Sequence, residues 1–268
     1  MKRVSKGASP SSLNEYATNH PNTTWEEMAN DNTCGGSLVA HDCRNKAIDD
    51  QYGLCAYCEQ RISSVTPMRR RLEHFHPKSD VEELRNWGLD WSNMLATCDG
   101  GSWKVSDDEK SYSLPENLSC DEHKNRMVGT GKLPITCEGY IINPLDVPAF
   151  PNLFSLEGGT WCLKPDIETC EEVTILCNSY ETTAELINQT ISILNLNCDR
   201  LTKKREQLVY NINRNIKTLR DKGYAPSDVP VKLVDRYFKD KWPEFFTTLR
   251  CFIGAAVDEY LETNGYCG

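Results

Sequence analysis

Four short segments of this chain carry the residue types that bind metals and move protons. In chain order they are Cys55-Ala56-Tyr57-Cys58, Glu73-His74-Phe75-His76-Pro77-Lys78-Ser79, Asn93-Met94-Leu95-Ala96-Thr97-Cys98 and Cys120-Asp121-Glu122-His123-Lys124. Cysteines spaced like Cys55 and Cys58 can clamp one tetrahedral Zn²⁺. The other use of such a pair, a redox dithiol, opens a helix in a βαβ context, and no such context surrounds Cys55. The thirteen cysteines are an odd count, which in an oxidising compartment would leave one thiol unpaired. In a reducing compartment they stay thiols, and spacing decides which of them matter. Cys34, Cys43, Cys162, Cys170, Cys177, Cys198, Cys251 and Cys267 are scattered, as small buried hydrophobes are.

Charge narrows the function classes. A net charge of −9 over 268 residues excludes a protein that coats nucleic acid by bulk electrostatics, because phosphate binding needs clustered Lys and Arg. Any such contact must be local. Two basic stretches stand out: Arg69-Arg70-Arg71, just before Glu73, and Asp199 to Lys222, with eight basic and three acidic residues. No apolar run reaches the roughly 18 residues of a membrane span, and the polar residues after Met1 do not make a signal peptide. The expectation is a cytoplasmic protein with no membrane partner.

The elements around these segments must hold them together. Residues 1–54 read as a helical lead-in: Thr23 and Thr24 are followed three positions later by Glu26 and Glu27, a capping-box pattern that predicts a helix from Trp25. A second helix is expected from about Ala40 to Tyr52, delivering the chain into Gly53-Leu54-Cys55. From Cys55 to about residue 145 the apolar runs are short and no long helical period holds, as in a small metal-organised module whose core includes Leu89, Trp91 and Leu95. Asn143-Pro144-Leu145-Asp146 and the glycines at 158 and 159 mark turns, and a weakly strand-like stretch runs to about Asn178. The rest, to 268, reads as mainly helical. Leu201, Leu208, Ile212, Ile216 and Leu219 recur at helical spacing, which predicts that the basic residues between them face solvent. Phe245, Leu249, Phe252, Ile253, Ala256, Val257 and Tyr260 form a wider apolar stripe.

Taken in order, the four segments resemble the HNH endonuclease family. Its pattern runs as a cysteine pair, an acidic residue and His with Pro three further on, an Asn five before a third Cys, and a fourth Cys leading to a Lys. The resemblance implies an α+β fold in which a zinc-stapled ββα-metal (HNH) module sits between helical amino-terminal and carboxy-terminal regions. It also implies four structural zinc ligands, Cys55, Cys58, Cys98 and Cys120. One departure is that Asp99 to Ser119 separates the last two cysteines, which the family usually spaces closely. A polar surface insertion accounts for this at small entropic cost, and Cys137 is the alternative fourth ligand.

By the same resemblance His74 is the general base that activates water, and Glu73 binds a hard cation such as Mg²⁺ or Mn²⁺. The family's usual His or Asn after the fourth cysteine is here Asp121, so either Asp121 or His123 completes the metal site. Asn93 either binds the metal or fixes the loop carrying the base. Lys78, Lys124 and Arg69, Arg70 and Arg71 are candidate phosphate contacts, and His76 is an open case between phosphate or metal contact and a hydrogen-bonded surface histidine.

A narrower likeness extends over most of the chain. Leu54 to Glu59, Glu73 to Ser79, Leu89 to Leu95, the Lys6 to Pro10 segment, the turn at Asn143 and Ile193-Leu194-Asn195-Leu196-Asn197 leading into Leu201 and Arg205 are similar to the HNH subunit of Septu anti-phage systems and its retron-associated relatives. That likeness implies a defence nuclease acting on nucleic acid, DNA before RNA, beside a larger ATPase subunit. The Asp199 to Lys222 segment is then a docking or backbone-contacting surface, or simply a solvated face. The competing expectation is a zinc-stabilised binding or assembly subunit without catalysis, supported by Asp121 alone. A stand-alone restriction-type endonuclease is a third.

Overall fold

The computed structural model describes residues 1–82, 85–239 and 242–268. Helices α1 (Ser11–Asn19), α2 (Trp25–Asn30) and α3 (Gly36–Asp50) open the chain. The capping box forms as its spacing dictates: the Thr24 hydroxyl accepts from the Glu27 amide at 3.2 Å, and the Glu27 carboxylate accepts from the Thr24 amide at 2.9 Å. Helix α3 begins before the expected Ala40. Gly35 turns at φ 82°, and at Gly36 the backbone passes so close to α2 that a Cβ would lie 2.4 Å from the Met28 carbonyl oxygen. The helix therefore starts where two glycines let the chain cross α2, rather than at the first apolar residue.

Just past α3, Gln51 acts as a stand-in for a strand residue. Its carboxamide donates to the Leu54 and Ala96 carbonyls at 2.8 and 2.7 Å and accepts from the Ala96 amide at 2.8 Å. Ala96 lies in the central pair of strands, β1 (Arg70–His74) and β4 (Met94–Cys98), with the small hairpin of β2 (Val81–Glu82) and β3 (Arg85–Asn86) between them. β1 and β4 are antiparallel, with Arg70 opposite Cys98 and His74 opposite Met94. Four steps at about 3.4 Å set the Cys98 end roughly 14 Å from the His74 end. All five residues of β4 are buried.

Beyond β4 come α4 (Asp107–Ser111), inside the segment that separates Cys98 from Cys120, and α5 (Cys120–Gly129). A short hairpin, β5 (Phe154–Leu156) and β6 (Leu163–Pro165), is followed by α6 (Ile167–Glu172), α7 (Thr183–Ile193), α8 (Asp199–Asp221), α9 (Val229–Tyr237), α10 (Phe246–Ile253) and α11 (Ala255–Thr263). The result is mixed helix and small sheet. One buried apolar cluster runs from Met1 to Leu201 with Phe245, taking residues from both sides of positions 54 and 145; a second gathers Ile212, Val229, Phe238, Phe246, Leu249 and Leu261. Among the described residues no helix is long and apolar enough to cross a membrane.

One expectation is refined and one needs correction. The stripe from Phe245 to Tyr260 is two helices, broken at Gly254, whose φ of 80° and ψ of −147° suit glycine alone. The basic residues of α8 do not all face solvent: Arg200 and Arg205 are buried, because the first turns of α8 enter the core and both guanidinium groups find partners there. Arg205 donates to the Leu196 carbonyl at 2.6 Å and to Asn197 Oδ1 at 3.3 Å. Arg205→Ala should therefore destabilise the protein by about 2–4 kcal/mol in urea unfolding, through a cavity and an orphaned carbonyl. An arginine on a solvated face would change stability by less than about 0.5 kcal/mol.

Candidate active site and metal centre

The four sulfurs come from three loops. Cys55 and Cys58 lie on the turn after α3, Cys98 ends β4 and Cys120 opens α5. All four residues are buried and their Sγ atoms lie within 4.8 Å of one another. The shortest separations are 3.8 Å for Cys55 to Cys120 and 3.7 Å for Cys98 to both Cys58 and Cys120. A tetrahedron with Zn–S bonds of about 2.3 Å has edges of about 3.8 Å, so the cluster has the size of a zinc tetrathiolate. Its proton affinities agree. Hydrogen bonds from Cys120, Cys55 and Cys58 hold the Cys98 thiol far below the ordinary range, while burial pushes Cys58 and Cys120 up. Four buried thiols in contact share protons poorly, and a metal ion bound among them would replace those protons. Cys137 stands apart, its Sγ donating to the Phe75 carbonyl at 3.2 Å.

At the other end of the strand pair lies a cavity of about 300 Å³ lined by Glu73, His74, Lys78, Asp121, Lys124 and Asn125, with apolar walls that include Leu72, Phe75 and Ile135. β1 supplies Glu73 and His74, and α5 supplies Asp121, Lys124 and Asn125. Glu73 is buried and ion-paired to the buried Lys124. Burial, and then the neighbouring Asp121 carboxylate, raise the Glu73 pKa well above the ordinary carboxylate range against the pull of Lys124. Two facing carboxylates with one ammonium are short of positive charge, an arrangement a hard divalent cation suits. Asn125, one turn beyond Asp121, orients it by donating to Oδ1 at 2.8 Å. Sequence reading missed Asn125; its position four residues after Asp121 on a helix was the available signal.

His74 packs edge-on against Trp25, ring centroids 4.8 Å apart, so the capped helix α2 braces it. Burial lowers its pKa to about 4, leaving the ring neutral near pH 7. Nε2 lies 3.1 Å from the Gly88 carbonyl oxygen. A carbonyl only accepts, so Nε2 carries the hydrogen and Nδ1 keeps a lone pair that can take a proton.

The remaining candidates lie around this pocket. Asn93 accepts from the His76 amide at 2.7 Å and donates to the His76 and Trp87 carbonyls at 3.0 and 2.9 Å, clasping the loop that follows His74. His76 is held between Glu138 at 2.6 Å and Asp80 at 2.9 Å, stacked on Trp87. The His123 ring bonds the Ile193 carbonyl at 2.7 Å and does not line the cavity. Lys78, at the rim, pairs with Glu26 at 2.6 Å. Arg69 pairs with Asp99 and Glu109, Arg70 donates to the Val65 carbonyl and Arg71 pairs with Glu122. The arginine triplet is thus engaged within the chain, and Arg69 ties down the segment bearing α4. A larger cavity of about 750 Å³, beside Phe154, Trp161 and Arg250, contains none of the four-segment residues.

Fold and site together are those of a protein of mixed helix and small sheet, with a four-cysteine cluster that could bind a metal and a histidine and carboxylate pocket. No family model matches the chain. It is 34% identical over 226 residues, covering 82% of this chain and 85% of the other, to an Escherichia coli protein described as "Retron Ec83 putative HNH endonuclease". The chain belongs to the HNH endonuclease family, with the retron-associated nucleases, and is a nuclease.

Asn93→Ala removes the side-chain partner of the buried His76 amide and of the His76 carbonyl. It should cost about 2–4 kcal/mol in denaturant unfolding and speed amide exchange at residues 75–78. An unchanged exchange pattern there would contradict the clasp.

Proposed function

We propose that the chain is a metal-dependent endonuclease acting on phosphodiester bonds, with DNA as substrate, and that it is the cytoplasmic effector of a two-component anti-phage system of the Septu and retron kind, working beside an ATPase subunit. In this reading residues 55–145 are the zinc-stapled ββα-metal (HNH) module, 1–54 a helical lead-in and 146–268 a region for docking or backbone contact. The observation that carries the catalytic part is the meeting of Glu73, His74, Asp121 and Lys124 in one cavity. The likeness to a retron protein supports the defence role. A net charge of −9 and an internally paired arginine triplet support a partner that captures the nucleic acid.

Glu73 and Asp121 are the carboxylates that would hold Mg²⁺ or Mn²⁺, an ion that supplies charge for the phosphoryl and leaving oxygens. Asp121 is preferred over His123 because the His123 ring is turned to Ile193. His74 takes the proton of the attacking water at Nδ1, its tautomer fixed by Gly88. Asn93 keeps the loop after His74 in place, and Asn125 sets the angle of the Asp121 carboxylate. Lys124 neutralises Glu73 until a cation arrives, and Lys78 can exchange Glu26 for a phosphate.

Elemental analysis should find one zinc per chain. Cys120→Ser should lose it and unfold at lower temperature, whereas Cys137→Ser should retain it; the reverse pattern would put the fourth ligand at Cys137. His74→Ala, with fold and zinc content kept, should slow plasmid cleavage in Mg²⁺ or Mn²⁺ by about 100-fold or more, the usual worth of a general base. The comparison is made with and without the co-purifying ATPase. Equal cleavage by wild type and variant would refute the mechanism, and zinc-loaded wild type inert on both DNA and RNA would favour an assembly subunit.

A further inference from the structure

We propose that Arg200 is the charge-balancing residue of the four-cysteine centre, holding a tetrathiolate zinc in a buried setting by tying all three sulfur-bearing loops to the first turn of α8. The proposal rests on the zinc reading of that cluster. Zinc held by four thiolates carries two net negative charges. Such charge is costly away from water unless donors and cations surround it. Two donors are close: the Gly100 amide lies 3.4 Å from Cys98 Sγ and the Ser119 hydroxyl 3.5 Å from Cys120 Sγ. The counter-charge has to come from elsewhere in the chain.

Arg200 is placed to supply it. Its Nη1 donates to Gln60 Oε1 at 2.8 Å, and Gln60 lies two residues past Cys58, with Oε1 3.8 Å from the Cys58 sulfur. Its Nη2 donates to Ser119 Oγ at 2.7 Å, next to Cys120. Against the third loop the fit is as close, since a Cβ on Gly101 would lie 2.6 Å from Arg200 Nε. The guanidinium thus reaches every loop that carries a sulfur.

Two further observations point to an anion beside it. Arg200 is buried, and its Nε has no hydrogen-bond partner. Among the described residues no carboxylate pairs with it, so no acidic side chain balances its charge. The sulfur cluster is the anion this arginine faces.

Arg200 acts through the ligands and is a positioning residue. Partners of this kind change metal affinity by about 10–100-fold. The test is zinc release from the full-length protein under a fixed excess of chelator, followed with a zinc dye. Arg200→Met should release zinc at least about 10-fold faster than wild type, and Arg200→Lys, which keeps the charge, should restore most of the retention. Should Arg200→Met fail to fold, Gln60→Ala carries the test, with release several-fold faster expected. Wild-type protein without zinc would sink the zinc reading and the proposal with it. One zinc per chain in every variant, released at the wild-type rate, would overturn the role of Arg200 alone, and a lower melting temperature beside that unchanged rate would mark it as packing only.

Discussion

The position of each candidate catalytic group follows from where four cysteine sulfurs pin the backbone. Cys98 ends β4, and the antiparallel register then sets Glu73 and His74 opposite Leu95 and Met94. Cys120 opens α5 from the same cluster, so that the carboxylate of Asp121 and the ammonium of Lys124 come to the cavity that Glu73 and His74 line. The strand pair is only five residues long, and an isolated pair of that size is marginal in water. Its stability comes from the cluster at one end, from the Gln51 side chain along β4 and from the packing of α3.

The electrostatics of the cavity follow from burial. Glu73 and Asp121 are both buried in the walls of one cavity, and the Lys124 ammonium pairs with Glu73, so the pocket favours added positive charge. His74 faces the opposite pressure. Burial against Trp25 keeps it uncharged, the form in which an imidazole accepts a proton. The surrounding basic residues are spent internally: Arg69 and Arg71 hold the segment between the third and fourth cysteines and the outer face of α5. The inserted segment is therefore bound to the rest of the site by ion pairs, although its composition alone would suit a loose loop.

What could be read from the sequence was local. The capping box at Thr24, the four ordered segments and the apolar spacing of α8 are patterns within a few residues of one another, and each specifies a short-range geometry. Contacts between distant segments were not legible. Nothing in the spacing of Leu201, Leu208 and Ile212 says that Arg200 points inward; its partners lie in loops about 80 and 140 residues earlier, at Ser119 and Gln60. The arginine triplet looks like a phosphate site until Asp99, Glu109 and Glu122 fold against it. His76, poised in sequence like a ligand, is caught by Glu138, which lies well outside its own segment. Gly254 was visible as a glycine, but the apolar stripe around it hid the break between α10 and α11.

The most direct test is anomalous diffraction at the zinc and manganese edges from crystals of the protein soaked in Mn²⁺. The account predicts a zinc peak inside the sulfurs of Cys55, Cys58, Cys98 and Cys120, and a separate manganese peak between Glu73 and Asp121 with Lys124 moved aside. Manganese bound elsewhere, with the Glu73 to Lys124 pair intact, or a cysteine cluster without zinc, would contradict it.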